Sequence, residues 1–479
     1  MMNRSLGVLL LGSLLALGCD GTDGPPASAD PCAALSTEMR ERIDPFVTER
    51  MEKGHIAGLS LVIHQGGQPV CIKSYGLASV EKNQAMTPRT RISIGSTTKA
   101  MTALALMQQV EAGAVELTAP VTRYLPWFRT ADGLQDQIRV EHLLSHTSGL
   151  PNSMVWDGDH DETALERSVR ALADVKLRFA PGESEAYSNE GFAVAGLIVQ
   201  TVANKPFEQY MADALFEPMG MSRTLMGAAP AQDEDVAQGY TWTRSQRRAM
   251  APPWSRAQVP AGASTFTTAE DLSRYFSVLL ARGDAPGGRV LSAQGLERMW
   301  QPVVVPTSGM GWVLSSEFGR QVVSHGGNTI ISSSHFRLFP SEGMAVGVMS
   351  NLNTVVTEEV SLGVAALLFG QEPAPASPSR DRAPSTFVPD TSVWKDYVGT
   401  YETSLVGAVT VSAGEGRLWM TVQMARPAVR GELEAYGDNE FVERDDLGLL
   451  EGMNVSFQRE SDGGMLLLLD GYPIGKRVP

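Results

Sequence analysis

The sequence predicts an α/β protein. An antiparallel sheet flanked by helices and a mostly helical subdomain are followed by a small all-β, barrel-like domain. Three features carry this expectation. β-branched runs occur near residues 59–76 and return after 309. Between 97 and about 282 the pattern is mostly helical, so one sheet is built from both ends of the chain around a helical insertion. A Pro/Ser-rich segment, 371–391, then separates the last helix from short runs spaced by Gly and Asp.

The composition agrees. Of 479 residues, 43% are hydrophobic and 19% charged, which excludes disorder over the whole chain and supplies a large core. Asp and Glu outnumber Lys and Arg by 54 to 39, giving a formal charge of -15. Nucleic acid is therefore not an expected partner, since a phosphate backbone rewards basic faces.

Element by element, residues 1–18 read as an export signal: Arg4 is the only charge, and the apolar run Leu6–Leu17 is shorter than the roughly 20 residues a bilayer span needs. Ala16-Leu17-Gly18-Cys19 resembles the lipobox of a bacterial lipoprotein. Cys19 is then the lipidation site, 19–35 a flexible tether, and the protein anchored to a bacterial membrane facing the periplasm or exterior. Of the three cysteines, Cys32 and Cys71 remain, and whether they pair is open at this level. The main α/β segment is 36–370. Residues 36–53 are helical, with a kink or restart expected at Asp44-Pro45. LSLVIHQGG and PVCIKSYG form a hairpin, and MGWVL, QVVSH, SHFRLFP and MAVGVMSN are later strands, followed by a helix near Val355–Leu368. After the linker 371–391, six short runs from VGTYE to GMLLLLD predict a small barrel or sandwich over 392–479.

The chain has no G-x-S-x-G, H-E-x-x-H, P-loop or dinucleotide fingerprint. It does contain S-x-x-K three times, at Ser79…Lys82, Ser96…Lys99 and Ser392…Lys395. Of these only Ser96 opens a long helix, TTKAMTALALMQQVEAG. A spacing of three places Lys99 one turn on, on the same face, where its amine reaches the hydroxyl. The N–H groups at a helix start also favour developing negative charge. Tyr187-Ser188-Asn189 is the only Y-x-N among ten tyrosines, and it lies on a loop before a helix. A tyrosine beside a lysine can act as a base if the cation favours its phenolate. Asn189 can donate to a substrate carbonyl. His325-Gly326-Gly327 ends a strand, where paired glycines permit close approach of a ligand. The Asn328 and Ser96 N–H groups are the candidate oxyanion donors. His142 and His146 are expected to organise a loop, and His64 to sit at a hairpin turn without a catalytic role.

In this order the three boxes resemble the serine β-lactamase and penicillin-binding protein family, within it the class C-like branch of esterases and D-amino-acid peptidases. HLLSHTSGLP (142–151) and AGASTFTTAEDLSRY (261–275) add to the resemblance, which spans 36–370. Residues 392–479 resemble the lipocalin-like β domain often appended to such hydrolases. The resemblance implies an acyl-enzyme on Ser96, Lys99 assisting its deprotonation, and Tyr187 as base in acylation and deacylation. It implies Asn189, His325, Gly326 and Gly327 around the substrate, and no cofactor or metal. The substrate is then a small ester, an amide or a D-amino-acid peptide. The alternatives are a true β-lactamase, a D-alanyl-D-alanine carboxypeptidase, or a non-catalytic sensor of penicillin or cell wall. His325 stands where lactamases carry the Lys of a K-T-G box. An imidazole, mostly neutral at pH 7, anchors a substrate carboxylate poorly, which implies weak lactamase turnover. Oligomeric state is open.

Overall fold

The computed structural model describes residues 30–478 apart from 156–157, 228–234, 244, 253, 377–384, 404–407, 424, 427, 446–452 and 470. The expected signal, Cys19 and the tether up to residue 29 lie outside the described residues, as does the middle of the Pro/Ser-rich linker.

Helix α1 (Thr37–Lys53) is capped by Ser36, whose side chain accepts the Met39 N–H. The restart expected at Asp44-Pro45 does not occur: one helix runs through Pro45. Tertiary contacts outweigh the donor lost at the proline. The Asp44 carboxylate is held by Lys73 Nζ at 2.7 Å and Tyr75 Oη at 2.8 Å, and Phe46 and Val47 on the next turn are buried.

Strands β1 (Gly58–Gln65) and β2 (Gln68–Ser79) form the expected hairpin. Its turn is Gly66-Gly67, at φ +57° and +76°, the left-handed backbone that a two-residue hairpin demands. A short strand β3 (Gln84–Ala85) follows on the edge. Strands β4 (Val313–Glu317), β5 (Arg320–Asn328), β6 (Ser333–Phe339) and β7 (Met344–Ser350) return late in the chain. The sheet order is β4-β5-β6-β7-β1-β2-β3, antiparallel throughout, with β1 against β7 (Leu59 opposite Ser350). Alternation along β1 sorts its two faces. Leu59, Leu61 and Ile63 meet α1 and the last helix of this unit, α5 (Val356–Leu368), while Val62 joins the core on the opposite face.

That opposite face carries the helical subdomain. Helix α2 (Thr98–Glu111) is buried on all sides from Thr98 to Met107, as a central helix must be. It shares its core with α3 (Asn189–Ala203) and α4 (Ala269–Leu280). Helix α3 starts at Ser188, whose side chain accepts the Gly191 N–H, and stops at Asn204 in the left-handed conformation.

The C-terminal domain is a closed antiparallel barrel of eight strands, from Gly399–Thr403 to Tyr472–Arg477, the first paired with the last. Tyr401, Leu418, Phe441, Val455, Phe457 and Leu467 fill it. Among the described residues, contacts with the preceding domain include these. Ala425–Arg426 pairs in parallel with Met154–Val155, and Arg178 Nη2 donates to the Thr403 carbonyl at 2.8 Å. Among the described residues, no helix is long and apolar enough to cross a membrane.

Cys32 and Cys71 are joined in a disulfide that pins the segment before α1 to β2. Cross-linking residues separated by 39 positions constrains the unfolded chain by about 4 kcal/mol in the loop-entropy picture. A Cys32→Ala/Cys71→Ala protein, or the native one under reductant, is expected to melt several degrees lower. Identical melting curves with and without reductant would show that the bond contributes nothing.

Candidate active site

Ser96 lies in the 3-10 turn Gly95–Thr97 that leads into α2, at the junction of sheet and helical subdomain. Its side chain is half-buried and reachable, whereas Lys99, one turn further, is fully buried. Lys99 Nζ is 3.0 Å from Ser96 Oγ, 2.7 Å from Asn189 Oδ1 and 2.5 Å from the Ala261 carbonyl. The last two groups can only accept. An ammonium would donate to all three. A neutral amine has two N–H groups for Asn189 and Ala261, and a lone pair left for the Ser96 proton. Burial favours the second arrangement: it drives the amine well below the ordinary lysine value, with the Glu190 carboxylate acting in the opposite sense.

Tyr187 enters from the loop before α3. Its hydroxyl lies beside the Ser96 side chain, and Lys99 Nζ lies 4.8 Å from its ring centroid. Burial works against the phenolate expected here: it raises the Tyr187 phenol above its ordinary value and lowers the Lys99 amine well below its own. Asn189 is buried at the first turn of α3, with Oδ1 on Lys99 and Nδ2 on the Ser153 carbonyl at 2.8 Å. One amide N–H remains for a substrate.

The strand bearing His325-Gly326-Gly327-Asn328 runs edge-on along the Ser96 turn. A Cβ on Gly327 would lie 2.1 Å from the Ile94 carbonyl oxygen, and one on Gly95 3.0 Å from Asn328 N. Gly326 and Asn328 are exposed, and the Asn328 backbone borders the turn at Gly95. His325 is buried, and its Nδ1 is 2.6 Å from the Gly326 carbonyl, which can only accept. The proton therefore sits on Nδ1 and leaves Nε2 as an acceptor. Burial, and then the nearby Lys99, push its value down to about 4, so it brings no positive charge at neutral pH. His64 is buried at the end of β1 with Nε2 2.9 Å from Ser273 Oγ, remote in role from these groups. Cys32 and Cys71 belong to the opposite core.

Other residues bear on the site beyond the roles the motifs gave them. His146 stacks on the Tyr187 ring at 4.3 Å, and its Nδ1 accepts the Ser188 N–H at 3.1 Å, so its loop grips the tyrosine itself. The Ala261 carbonyl holds Lys99, and Gly262, at φ +117°, leaves room for Ser96 N beside it. Glu190 sits directly after Asn189, a position that adjacency alone could have flagged.

An antiparallel sheet, a helical subdomain, and a Ser-x-x-Lys helix start facing a tyrosine at their junction define a β-lactamase-type fold and site. Residues 43–371 match the family model described as Beta-lactamase, and the chain belongs to that family. It is 27% identical over 326 residues to "Protein flp" of Staphylococcus aureus strain MW2, covering 67% of this chain and 64% of the relative, less than two thirds of its length. It is 29% identical over 325 residues to "Penicillin-binding protein 4" of Amycolatopsis lactamdurans, covering 65% of this chain and 84% of the relative. Among solved structures, the octameric penicillin-binding protein homologue from Pyrococcus abyssi superposes with a TM-score of 0.60 at 22% identity, over 91% of this chain and 99% of the other. The crystal structure of SurE gives 0.62 at 22% identity, over 92% and 99%. At that identity the superpositions speak for the fold alone.

Proposed function

We propose that this protein is a serine hydrolase that forms an acyl-enzyme on Ser96 with a small ester, an amide or a D-amino-acid peptide. One observation carries the reading: Lys99 Nζ is wholly buried and 3.0 Å from Ser96 Oγ, with both of its other neighbours obliged to accept. Neutral Lys99 takes the Ser96 proton as Oγ attacks the substrate carbonyl carbon. The Ser96 and Asn328 N–H groups receive the oxyanion. Tyr187, a neutral phenol, gives its proton to the leaving alcohol or amine and recovers one from the Lys99 ammonium. Water then repeats the cycle and releases the acid. No cofactor enters any of these steps. His325, uncharged at neutral pH, gives no fixed cation for a substrate carboxylate, which favours esters and small amides over β-lactams. The proposed setting is extracytoplasmic, with the chain held to a bacterial membrane through lipid on Cys19.

The test is a panel on purified protein: nitrophenyl esters, a chromogenic cephalosporin and D-amino-acid peptides, alongside a fluorophosphonate probe. Labelling and ester turnover should vanish in Ser96→Ala, with cephalosporin turnover far below ester turnover. Labelling that survives Ser96→Ala would end the assignment of the nucleophile. A cephalosporin efficiency equal to that on esters would end the assignment of substrate class.

A further inference from the structure

The reaction above leaves Glu190 unused, although it is only 7% exposed and lies one residue from Asn189. Both of its carboxylate oxygens are engaged by one residue. Oε2 accepts the Ser153 N–H at 2.9 Å, and Oε1 accepts the Ser153 hydroxyl. The Ser153 carbonyl in turn accepts from Asn189 Nδ2 at 2.8 Å and from Gln258 Nε2 at 3.2 Å. With Nδ2 turned to a carbonyl, the Asn189 amide has no choice but to present Oδ1 to Lys99. A continuous path therefore runs from Glu190 through Ser153 and Asn189 to Lys99 and Ser96.

Charge points the same way. The titratable groups gathered at Lys99 are Tyr187, His146, His325 and Glu190. Burial keeps Tyr187 protonated and holds both imidazoles low and neutral. Glu190 is the group whose field pulls Lys99 towards its charged form. Its own carboxyl is pushed up to about 7 by burial, against the Ser153 hydrogen bonds and the lysine. It changes charge in the pH range where a serine hydrolase works.

We propose that Glu190 is a positioning residue for acylation: through Ser153 it fixes the Asn189 amide towards Lys99, and through its negative charge it biases Lys99 towards the ammonium. The inference rests on the reading of Ser96 as nucleophile and Lys99 as its base. Its test is the pH profile of kcat/KM on a nitrophenyl ester for the full chain, Glu190→Gln and Glu190→Ala, with Ser96→Ala as blank. Removing the charge but keeping the shape in Glu190→Gln should move the acidic limb to lower pH by about half a unit or more, and the plateau should stay within a few-fold. Glu190→Ala also releases Ser153, and its plateau kcat should fall about tenfold with KM little altered. An acidic limb that does not move in Glu190→Gln, or a Glu190→Ala plateau equal to that of the parent, would overturn the proposal. Should Glu190→Ala fail to fold by its melting curve, the Glu190→Gln limb decides alone. Absence of Ser96-dependent turnover in the parent protein would instead overturn the hydrolase reading, so the two failures are distinct.

Discussion

Lys99→Ala is expected to lower single-turnover acylation by an ester about 10³-fold or more, the scale of losing a positioned general base. The loss follows from geometry and burial together. Lys99 Nζ is the amine within hydrogen-bond reach of Ser96 Oγ, and burial shifts it towards the form that can take a proton. The wild-type rate should rise as pH climbs through the lowered lysine value and then level off, well before the ordinary lysine range. His325→Ala is expected to act differently, shifting preference among acyl donors with ester acylation retained within about tenfold, because a neutral imidazole bonded to its own strand makes no proton transfer to Ser96. A further check separates chemistry from folding. An amine whose value is lowered by burial costs stability below the ordinary lysine value, since the unfolded chain binds its proton more tightly. Lys99→Met should therefore melt no lower than the parent while remaining inactive. Equal losses of acylation in Lys99→Ala and His325→Ala would sink this division of roles.

Much of this arrangement is legible in the chain, and the reasons it is not all legible are physical. The hairpin, the late strands and the helices beside them show because alternation and apolar runs follow directly from burial on one face. Ser96 separates from two other S-x-x-K matches because it alone precedes a long helix. Two of the barrel's eight strands are harder to see. Val429–Gly437 points Val429, Gly431, Leu433 and Ala435 inward, two of them small, between charged outward residues. Tyr472–Arg477 contains Pro473 and Gly475, which argue against a strand until the barrel's closure supplies a partner. Pro45 misleads for the same reason in reverse, because Lys73 and Tyr75, distant in sequence, fix the turn that precedes it. The protonation states of Tyr187 and Lys99 depend on burial, which no motif encodes. Glu190 acquires meaning only once Ser153 is folded onto it.

Gly327→Ala is expected to reduce kcat/KM about 100-fold, the size of effect that a displacement near 1 Å at a reacting centre produces. The added Cβ would lie 2.1 Å from the Ile94 carbonyl oxygen and 2.9 Å from Thr97 N. Both atoms are main chain of the segment that carries Ser96, and neither can rotate aside as a side chain would. Ser334, whose Oγ would itself lie 2.6 Å from the added Cβ, also holds the turn in place: Ser334 Oγ donates to the Ile94 carbonyl at 2.7 Å, and Thr97 Oγ1 lies 3.1 Å from Ser334 Oγ. Relief must therefore come from parting β5 from the turn, which moves Asn328 away from the segment that carries Ser96 and loosens the proposed oxyanion site. Overpacking of this kind costs about 1–3 kcal/mol, so a lower melting temperature should accompany the loss. Gly326→Ala provides the contrast one residue earlier. Its Cβ would meet only His335 Cδ2, at an ordinary 3.6 Å, and it points to the exposed side. That variant should melt like the parent and report on substrate size alone. Gly327→Ala retaining parental kcat/KM and melting temperature would mean that the tight seam between β5 and the Ser96 turn plays no part in building the site.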